Sequence, residues 1–398
     1  MQPLAGRKIW FVGIGGAGLS GYALLARAWG AEVAGWDRYE TPYLAYVRAA
    51  GIPDTIAPDP LPAPDGWESV VSTAYASQAQ GWTRADFLAE LVSYARAIVV
   101  AGAHGKTTTA AMIAFALDRL GDDPSFLIGA EVPQLGGNAR AGSGWLVVEG
   151  DESDRTVFGL HAEIAVITNV DLDHHATFAS AAELEDSFAD WARTVAPGHV
   201  VWGRELAPAD VELAVPGEHN RLNAACALAA LELAGFDRAK AAATLAEFSG
   251  AGRRLEARGE AAGIRLIDDY GHHPAEVTAT LAAARELSGD GRVLVLFQPH
   301  LYSRTVHLAA GLAAALAAAD VAAVTDIYAA REEPLPGVTG KLVVDRLCEV
   351  RPGMPVGWTP SVEDGAKFVA GRARSGDVVL TIGAGDVDRA VPLILERL

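Results

Sequence analysis

The sequence contains little cysteine, no strongly apolar segment of membrane length and no recognisable export signal. Its two cysteines, Cys226 and Cys348, lie in apolar helical patterns far apart in the chain, which argues against a disulfide scaffold or a zinc site. The most apolar stretch, residues 308–323, is mainly alanine and includes Asp320, so it is too weakly hydrophobic to span a bilayer. The first residues lack the apolar region and cleavage site of a signal peptide. We therefore expect a cytoplasmic protein without membrane insertion.

Basic residues are also scarce, with 32 Lys and Arg against 50 Asp and Glu and a formal net charge of -18. Non-specific nucleic-acid binding requires a basic surface that neutralises phosphates, so we expect no nucleic-acid partner. The acidic excess is greatest between Glu149 and Asp186, where Arg155 is the only basic residue. Such a segment is typical either of a solvated surface or of a site for divalent cations.

Short apolar strands alternate with alanine- and leucine-rich helical segments along the whole chain, a pattern typical of α/β proteins with parallel sheets. The 398 residues, 51% of them hydrophobic, are too many for one compact core. The positions of the strands and glycine-rich turns predict three domains. These are a Rossmann-like domain over residues 1–96, a central P-loop domain with a mostly parallel sheet over 97–251, and a second Rossmann-like domain over 252–398.

A glycine-rich turn follows the first predicted strand. Gly13, Gly15 and Gly18 fit the dinucleotide fingerprint, in which the glycines allow a tight turn, close approach to a pyrophosphate and close packing of helix on strand. Asp37 ends the next strand, where an acidic side chain commonly accepts a hydrogen bond from a ribose hydroxyl. The motif predicts binding of a nucleotide diphosphate, and it leaves open whether this is a nicotinamide cofactor or a nucleotide sugar.

A second glycine-rich turn, GAHGKTTT (102–109), follows a buried strand and opens a helix, which is the setting of a P-loop. There Lys106 can reach the β- and γ-phosphates of a nucleotide and the Thr107 hydroxyl can bind magnesium. The loop departs from the usual GxxxxGK[ST] spacing, because Val100 stands where the first glycine belongs. A lysine followed by three threonines at a helix start still favours phosphate binding over an incidental turn.

Further motifs accompany these two loops in a recognisable order. They are EGDESD (149–154), TNVDLDHH (168–175), PGEHNRLNA (216–224), GRRLE (252–256), DDYGHHPAEV (268–277), FQPHLYSRT (297–305) and TIGAGD (381–386). Together with GIGGAGLSG (13–21) and the phosphate loop, they resemble the Mur ligase family, which builds the peptide of bacterial cell-wall precursors. The resemblance covers nearly the whole chain.

The resemblance implies an ATP- and Mg²⁺-dependent ligase with UDP-N-acetylmuramate and L-alanine as substrates. DDYGHHP and FQPH favour the alanine-adding activity over a recycling ligase that attaches a tripeptide to the same sugar nucleotide. A nicotinamide-dependent oxidoreductase is an alternative of another class, but it would leave the GKTTT loop unexplained. An inactive nucleotide-binding regulator is a third alternative, and it would not require the full set of site residues. Both a monomer and a homodimer are open.

The resemblance also implies roles for individual residues. The nucleotide sugar is expected at Gly13, Gly15, Gly16, Gly18 and Asp37. ATP is expected at Gly102, His104, Gly105, Lys106, Thr107, Thr108, Asn220, Asn223, Arg254 and Asp269. The implied catalytic residues are Lys106, Glu149 and His174, and the implied magnesium ligands are Thr107, Glu149 and His174. The amino acid is expected at His272 and Arg304.

Three of these assignments have ordinary alternatives, and two features depart from the family. Helix capping would equally explain Asn220 and Asn223. Glu149 could belong to a solvated acidic loop, and His174 could be a loop histidine that only makes a hydrogen bond. Leu301 stands where some members have a second arginine after the FQPH histidine. The stretch 195–216 is short, which predicts that a small accessory β-region of the central domain is missing.

Overall fold

The structure, a computed structural model, describes residues 2–172, 177–330 and 332–398. They form an α/β protein with three sheets, and each sheet falls within one of the three predicted domains. The predicted fold class is confirmed. The chain divides into two compact units, one formed by the residues up to Ala214 and by Asn220–Ala251, the other by Val215–His219 and Gly252–Leu398. Among the described residues, no helix is long and apolar enough to cross a membrane.

The first sheet places the first glycine loop at the carboxyl end of its central strand. Its strands are β1 (Lys8–Val12), β2 (Glu32–Asp37), β3 (Asp54–Ile56), β4 (Glu68–Val71) and β5 (Trp82–Thr83), with helices α1 (Ala17–Ala28), α2 (Leu44–Ala49) and α3 (Arg84–Ser93). All strands are parallel in the order β3-β2-β1-β4-β5. The chain leaves β1 toward one side and returns on the other, so the end of β1 is the switch point at which such sheets bind ligands.

The second sheet places the phosphate loop in the same way. Its strands are β6 (Ala97–Ala101), β7 (Ser125–Val132), β8 (Gly137–Arg140), β9 (Leu146–Glu149), β10 (Ile164–Ile167) and β11 (Val200–Trp202), and the helices of this part are α4 (Lys106–Arg119), α5 (Ala181–Ala192), α6 (Glu218–Leu233) and α7 (Arg238–Leu245). The order is β11-β10-β6-β9-β7-β8, and only the β7–β8 pair is antiparallel. Strand β6 therefore lies between β10 and β9, whose carboxyl ends flank the phosphate loop.

Helix α1 joins the first two sheets within the first unit. It packs on the β7–β8 hairpin so closely that a Cβ at Gly21 would lie 2.9 Å from Leu127 and from Ala139. The buried Asn138 amide donates a hydrogen bond to the carbonyl of Ala17, the first residue of α1, at 3.0 Å. One apolar core consequently continues from the first sheet into the second.

The third sheet belongs to the second unit. Its strands are β12 (Glu256–Ala261), β13 (Ile264–Asp269), β14 (Val293–Phe297), β15 (Val321–Val324), β16 (Val356–Trp358) and β17 (Val378–Ile382), and its helices are α8 (Pro274–Ser288), α9 (Tyr302–Leu316), α10 (Lys341–Val350), α11 (Val362–Ala370) and α12 (Ala390–Leu395). The order is β12-β13-β17-β14-β15-β16, with β12 antiparallel to β13. Helices α8, α9 and α10 cover one face and α11 and α12 the other, so the inner strands are buried on both sides.

Candidate active site

The phosphate loop connects β6 to α4 and depends on two glycines. Gly102 and Gly105 have φ values of 123° and 78°, which side chains disfavour. A Cβ at Gly102 would lie 2.3 Å from Thr168 Oγ1, and one at Gly105 would lie 2.3 Å from Asn223 Oδ1. The loop is therefore packed too closely for side chains, and the amides at the N-terminus of α4 form an anion-binding end.

The TN motif after β10 holds this loop at His104. The Asn169 carboxamide accepts a hydrogen bond from the His104 N–H and donates one to the His104 carbonyl, both at 2.9 Å. The Thr168 hydroxyl donates to the same carbonyl at 2.6 Å. Sequence reasoning did not give Asn169 this role. The available signal was its position directly after a strand adjacent to β6, because the carboxyl ends of neighbouring parallel strands meet at one edge of a sheet.

Lys106, the first residue of α4, makes three hydrogen bonds with the protein. Its Nζ donates to the carbonyls of Gly102 at 2.6 Å and Ala103 at 3.2 Å, and to Glu152 Oε2 at 2.8 Å. Burial disfavours the charged ammonium, but the carboxylates of Glu152 and Glu149 outweigh it, and the pKa of Lys106 is raised. The lysine is therefore cationic at neutral pH.

Thr107 and Glu149 meet where the resemblance implies a magnesium ion. The Thr107 hydroxyl donates to Glu149 Oε1 at 2.9 Å, and the Gly129 N–H donates to Oε2 at 2.6 Å. Both side chains offer oxygen ligands, which Mg²⁺ prefers, so the pair fits this ion. Within the described residues, no group of three or more His, Cys, Asp or Glu side chains could hold a metal. The predicted ligand His174 lies outside the described residues.

The remaining predicted ATP residues of the first unit lie next to the loop. Thr108 is buried in the first turn of α4. Asn220 and Asn223 are 4% and 7% exposed and share one face of α6, with Asn223 Nδ2 donating to Asn220 Oδ1 at 3.3 Å. Because α6 begins at Glu218, neither asparagine occupies its N-cap position. Asn223 instead contacts the phosphate loop at Gly105.

The glycine loop after β1 is held by Asp37. This carboxylate, 5% exposed, accepts from the Gly15 N–H at 2.8 Å and from the Arg38 N–H at 2.7 Å. A Cβ at Gly15 would lie 2.9 Å from Asp37 Oδ2, and one at Gly13, where φ is 93°, would lie 2.9 Å from Ser72. Asp37 thus fixes the glycine turn through Oδ2 while Oδ1 is held by its own chain neighbour Arg38, a role that is additional to the predicted contact with ribose.

Arg84 lies between this loop and the acidic segment, and sequence reasoning missed it. Its Nη1 is 3.5 Å from Asp154 and 3.9 Å from Asp151. Of the other predicted sugar-nucleotide residues, Gly16 is the N-cap of α1, and a Cβ at Gly18 would lie 3.4 Å from Arg84 Nε. The guanidinium therefore brings a positive charge next to the helix that follows the glycine loop.

In the second unit, Tyr270 lies close to both arginines of the GRRLE motif. The guanidinium carbons of Arg253 and Arg254 are 5.2 Å and 5.1 Å from the ring centroid, within the range of cation–π interaction. Arg253 also pairs with the buried Asp268 at 2.8 Å. It donates to the carbonyl of Gly383 at 2.7 Å. Arg253 is thus committed to the fold of this unit.

Asp269, the predicted ribose contact, ends strand β13. It accepts hydrogen bonds at 2.9 Å from the N–H groups of Leu255 and Gly271 and from the Thr280 hydroxyl. Burial raises the pKa of Asp269 and prevails over the opposing effects of Arg254 and the two amides. These three donors fix the Asp269 side chain at the C-terminal end of strand β13.

The predicted amino-acid residues His272 and Arg304 meet around a third residue, His300. Arg304 Nη1 lies 3.2 Å from His300 Nδ1, and the ring centroids of His272 and His300 are 5.7 Å apart. The His300 ring also stacks on Tyr328. Leu301 is the N-cap of α9 with a φ of 66°, which is unusual for a residue other than glycine. This sharp turn places His300 and Arg304 on the same side of the loop.

Comparison with known proteins gives consistent results over the whole chain. Residues 8–96 match the family model described as "Mur ligase family, catalytic domain", residues 100–201 match "Mur ligase middle domain", and residues 253–385 match "Mur ligase, glutamate ligase domain". The UDP-N-acetylmuramate--L-alanine ligase of Streptomyces coelicolor is 40% identical, with 100% of this chain and 98% of that protein covered. The protein of the same name from Rubrobacter xylanophilus is 37% identical, with 98% and 100% covered.

Solved structures agree. The UDP-N-acetylmuramate-alanine ligase of Thermotoga maritima superimposes with a TM-score of 0.80 at 26% identity, covering 98% of both chains. The murein peptide ligase of Psychrobacter arcticus has a TM-score of 0.67 at 22% identity, again over 98% of both, which shows a shared fold. Family models on each of the three sheets and a relative 40% identical over its length show that the chain belongs to the Mur ligase family of ATP-dependent ligases.

Proposed function

We propose that this chain joins L-alanine to the lactyl carboxylate of UDP-N-acetylmuramate, with conversion of ATP to ADP and phosphate, during peptidoglycan precursor synthesis in the cytoplasm. The observation that carries the proposal is the assembly of Lys106, Thr107 and Glu149 at the N-terminus of α4. It occurs in a chain whose full-length relatives are named for this activity. Membership of a ligase family argues against a nicotinamide-dependent oxidoreductase.

The reaction has two steps. A carboxylate oxygen of the sugar attacks the γ-phosphorus, the bond to ADP breaks, and an acyl phosphate forms. The amino group of L-alanine then attacks the acyl carbon, the tetrahedral intermediate expels phosphate, and the nitrogen loses a proton as the amide forms. Neither step requires a nucleophile from the protein, so catalysis consists mainly of positioning and of charge neutralisation.

The residues present suit these tasks. Lys106 neutralises charge on the β- and γ-phosphates, and the amides at the start of α4 bind the phosphate oxygens. Thr107 and Glu149 would hold one Mg²⁺ and His174 a second, and these ions would supply positive charge that offsets the repulsion of the two anions. Arg304 offers a planar fork for the alanine carboxylate, beside His272.

The other assignments also stay proposals. Adenine is assigned to Asn220 and Asn223, and further nucleotide contacts to Arg254 and Asp269. The sugar nucleotide is assigned to the glycine loop with Asp37. The division into domains 1–96, 97–251 and 252–398 is supported by the three separate sheets.

The test is phosphate release from ATP and Mg²⁺ by the purified protein, with or without UDP-N-acetylmuramate, in the presence of L-alanine, glycine, L-serine or the tripeptide. Release that requires the sugar nucleotide and L-alanine, and is lost in Lys106→Met, is expected. Release supported by the tripeptide alone would assign the recycling activity instead. Absence of release with every acceptor would refute the proposed reaction.

A further inference from the structure

A largely buried ion pair next to the phosphate loop, Lys106–Glu152, takes no part in the proposed reaction. Glu152 belongs to the acidic segment after β9, and its side chain is 2% exposed. Its Oε2 lies 2.8 Å from Lys106 Nζ, and the same ammonium donates to the carbonyls of Gly102 and Ala103. An ammonium has three hydrogens, so these three partners use its whole donor capacity.

This arrangement competes with nucleotide binding. In a P-loop the lysine donates to the β- and γ-phosphates, so Lys106 must give up at least one present partner when a nucleotide arrives. The two carbonyls are neutral, whereas Glu152 is the partner whose carboxylate can balance a buried cation. A buried cation without an anion is unfavourable, and a phosphate group can replace Glu152 in that task.

We propose that Glu152 is a positioning residue that holds Lys106 retracted in the nucleotide-free enzyme and yields it to the β- and γ-phosphates when ATP binds. The inference rests on the proposed function, in which Lys106 contacts those phosphates. Because breaking the Lys106–Glu152 pair opposes binding, Glu152 lowers the affinity for ATP and ADP. It does not affect ligands that lack a β-phosphate.

The experiment is titration calorimetry of the full chain with ADP, a non-hydrolysable ATP analogue and AMP. Glu152→Gln keeps the shape of the side chain and removes its charge. We expect it to bind ADP and the ATP analogue about tenfold more tightly, since a charge-assisted hydrogen bond no longer competes, and to bind AMP unchanged. In a Lys106→Met background the same substitution should have no effect.

Glu183→Gln is the matched control, because Glu183 lies in the same acidic stretch but pairs with Arg155 rather than with the phosphate loop. Its nucleotide affinities should equal those of the wild type. Glu152→Asp keeps the charge but shortens the side chain, and it should bind ADP with intermediate affinity, so the test stands even if Glu152→Gln does not fold.

Unchanged or weaker ADP binding in both Glu152 variants would overturn the proposal, as would a parallel change in AMP binding. The second result would indicate a general structural role. Since binding is measured without turnover, a failure of the ligase reaction would refute the proposed function and leave this result intact.

Discussion

Replacement of Asn169 by alanine tests whether the phosphate loop is held ready for its ligand by the strand next to it. The substitution removes the two 2.9 Å hydrogen bonds to His104. Such bonds contribute about 1 kcal/mol each, so the free energy of unfolding should fall by about 2 kcal/mol. If the loop then leaves its binding conformation in the free protein, ADP binding must restore that conformation at a cost of up to the same amount, about 2 kcal/mol. Since 1.4 kcal/mol is a factor of ten, the Kd for ADP should rise by about 10- to 30-fold.

The assay combines urea unfolding with calorimetric titration of ADP, and Ser125→Ala provides the control. The Ser125 hydroxyl donates to the Gly142 carbonyl at 3.2 Å and accepts from its N–H at 2.9 Å, which is a similar reciprocal pair in the same sheet. It is remote in sequence from the phosphate loop, and it should lose stability without losing ADP affinity. If Asn169→Ala loses stability but binds ADP as the wild type does, the two hydrogen bonds between Asn169 and His104 do not preorganise the loop, and the prediction is refuted.

Three further substitutions probe the site and the fold. Gly105→Ala should weaken ADP binding at least tenfold and lower the free energy of unfolding by about 1–3 kcal/mol, because φ is 78° at this position and the new Cβ would lie 2.3 Å from Asn223 Oδ1. Calorimetry measures the affinity and urea unfolding the stability. Wild-type values in both would contradict the expected strain. Glu149→Gln should reduce Mg²⁺-dependent phosphate release roughly 100-fold while ADP binding in EDTA stays unchanged, and normal release would remove Glu149 from the metal site. Burial raises the pKa of Asp377, but hydrogen bonds from the Arg292 side chain and from backbone amides outweigh it, so the pKa is lowered. The stabilisation is therefore present above about pH 4 and lost as the pH falls through the folded-state pKa, so in urea unfolding Asp377→Asn should be less stable at pH 7 and lose less on acidification.

Buried strands next to glycine turns were the most predictable part of the fold. The strands Lys8–Val12 and Ala97–Ala101 lie directly before the two glycine-rich turns, as predicted, because each is a short apolar run that ends close to a glycine. Strand β12 was not predicted, since its sequence EARGEA is polar and none of its residues is buried, so this antiparallel edge strand has no buried face to mark it. Strand β7 was missed because Gly129 and Glu131 interrupt its apolar pattern.

Some contacts of the site could be predicted from local motifs and strand order, whereas others depend on the tertiary structure. Lys106 and Thr107 are adjacent in one motif, and Glu149 ends a neighbouring strand, so the order of the strands alone brings them together. The pairing of Lys106 with Glu152 and of Asn169 with His104 depends on the path of loops after β9 and β10. Strand order places Asn169 near the phosphate loop, but side-chain type and spacing do not encode the path of these loops, so the individual contacts become visible only in the folded structure.

The shortness of the chain bears directly on whether the site is complete. The alignment with the Streptomyces coelicolor relative spans 458 positions against 398 residues here, so the relative carries segments that this chain lacks. In the region where the sequence predicts the missing β-region, residues 206–217 contain no helix or strand. The buried Ala209 donates its N–H to the Arg221 carbonyl at 3.0 Å, and this hydrogen bond holds the connection against α6. No predicted site residue lies in this connection. Because loops tolerate deletions far better than the strand ends that carry the site, the shortening is expected to leave the phosphate-loop chemistry unchanged.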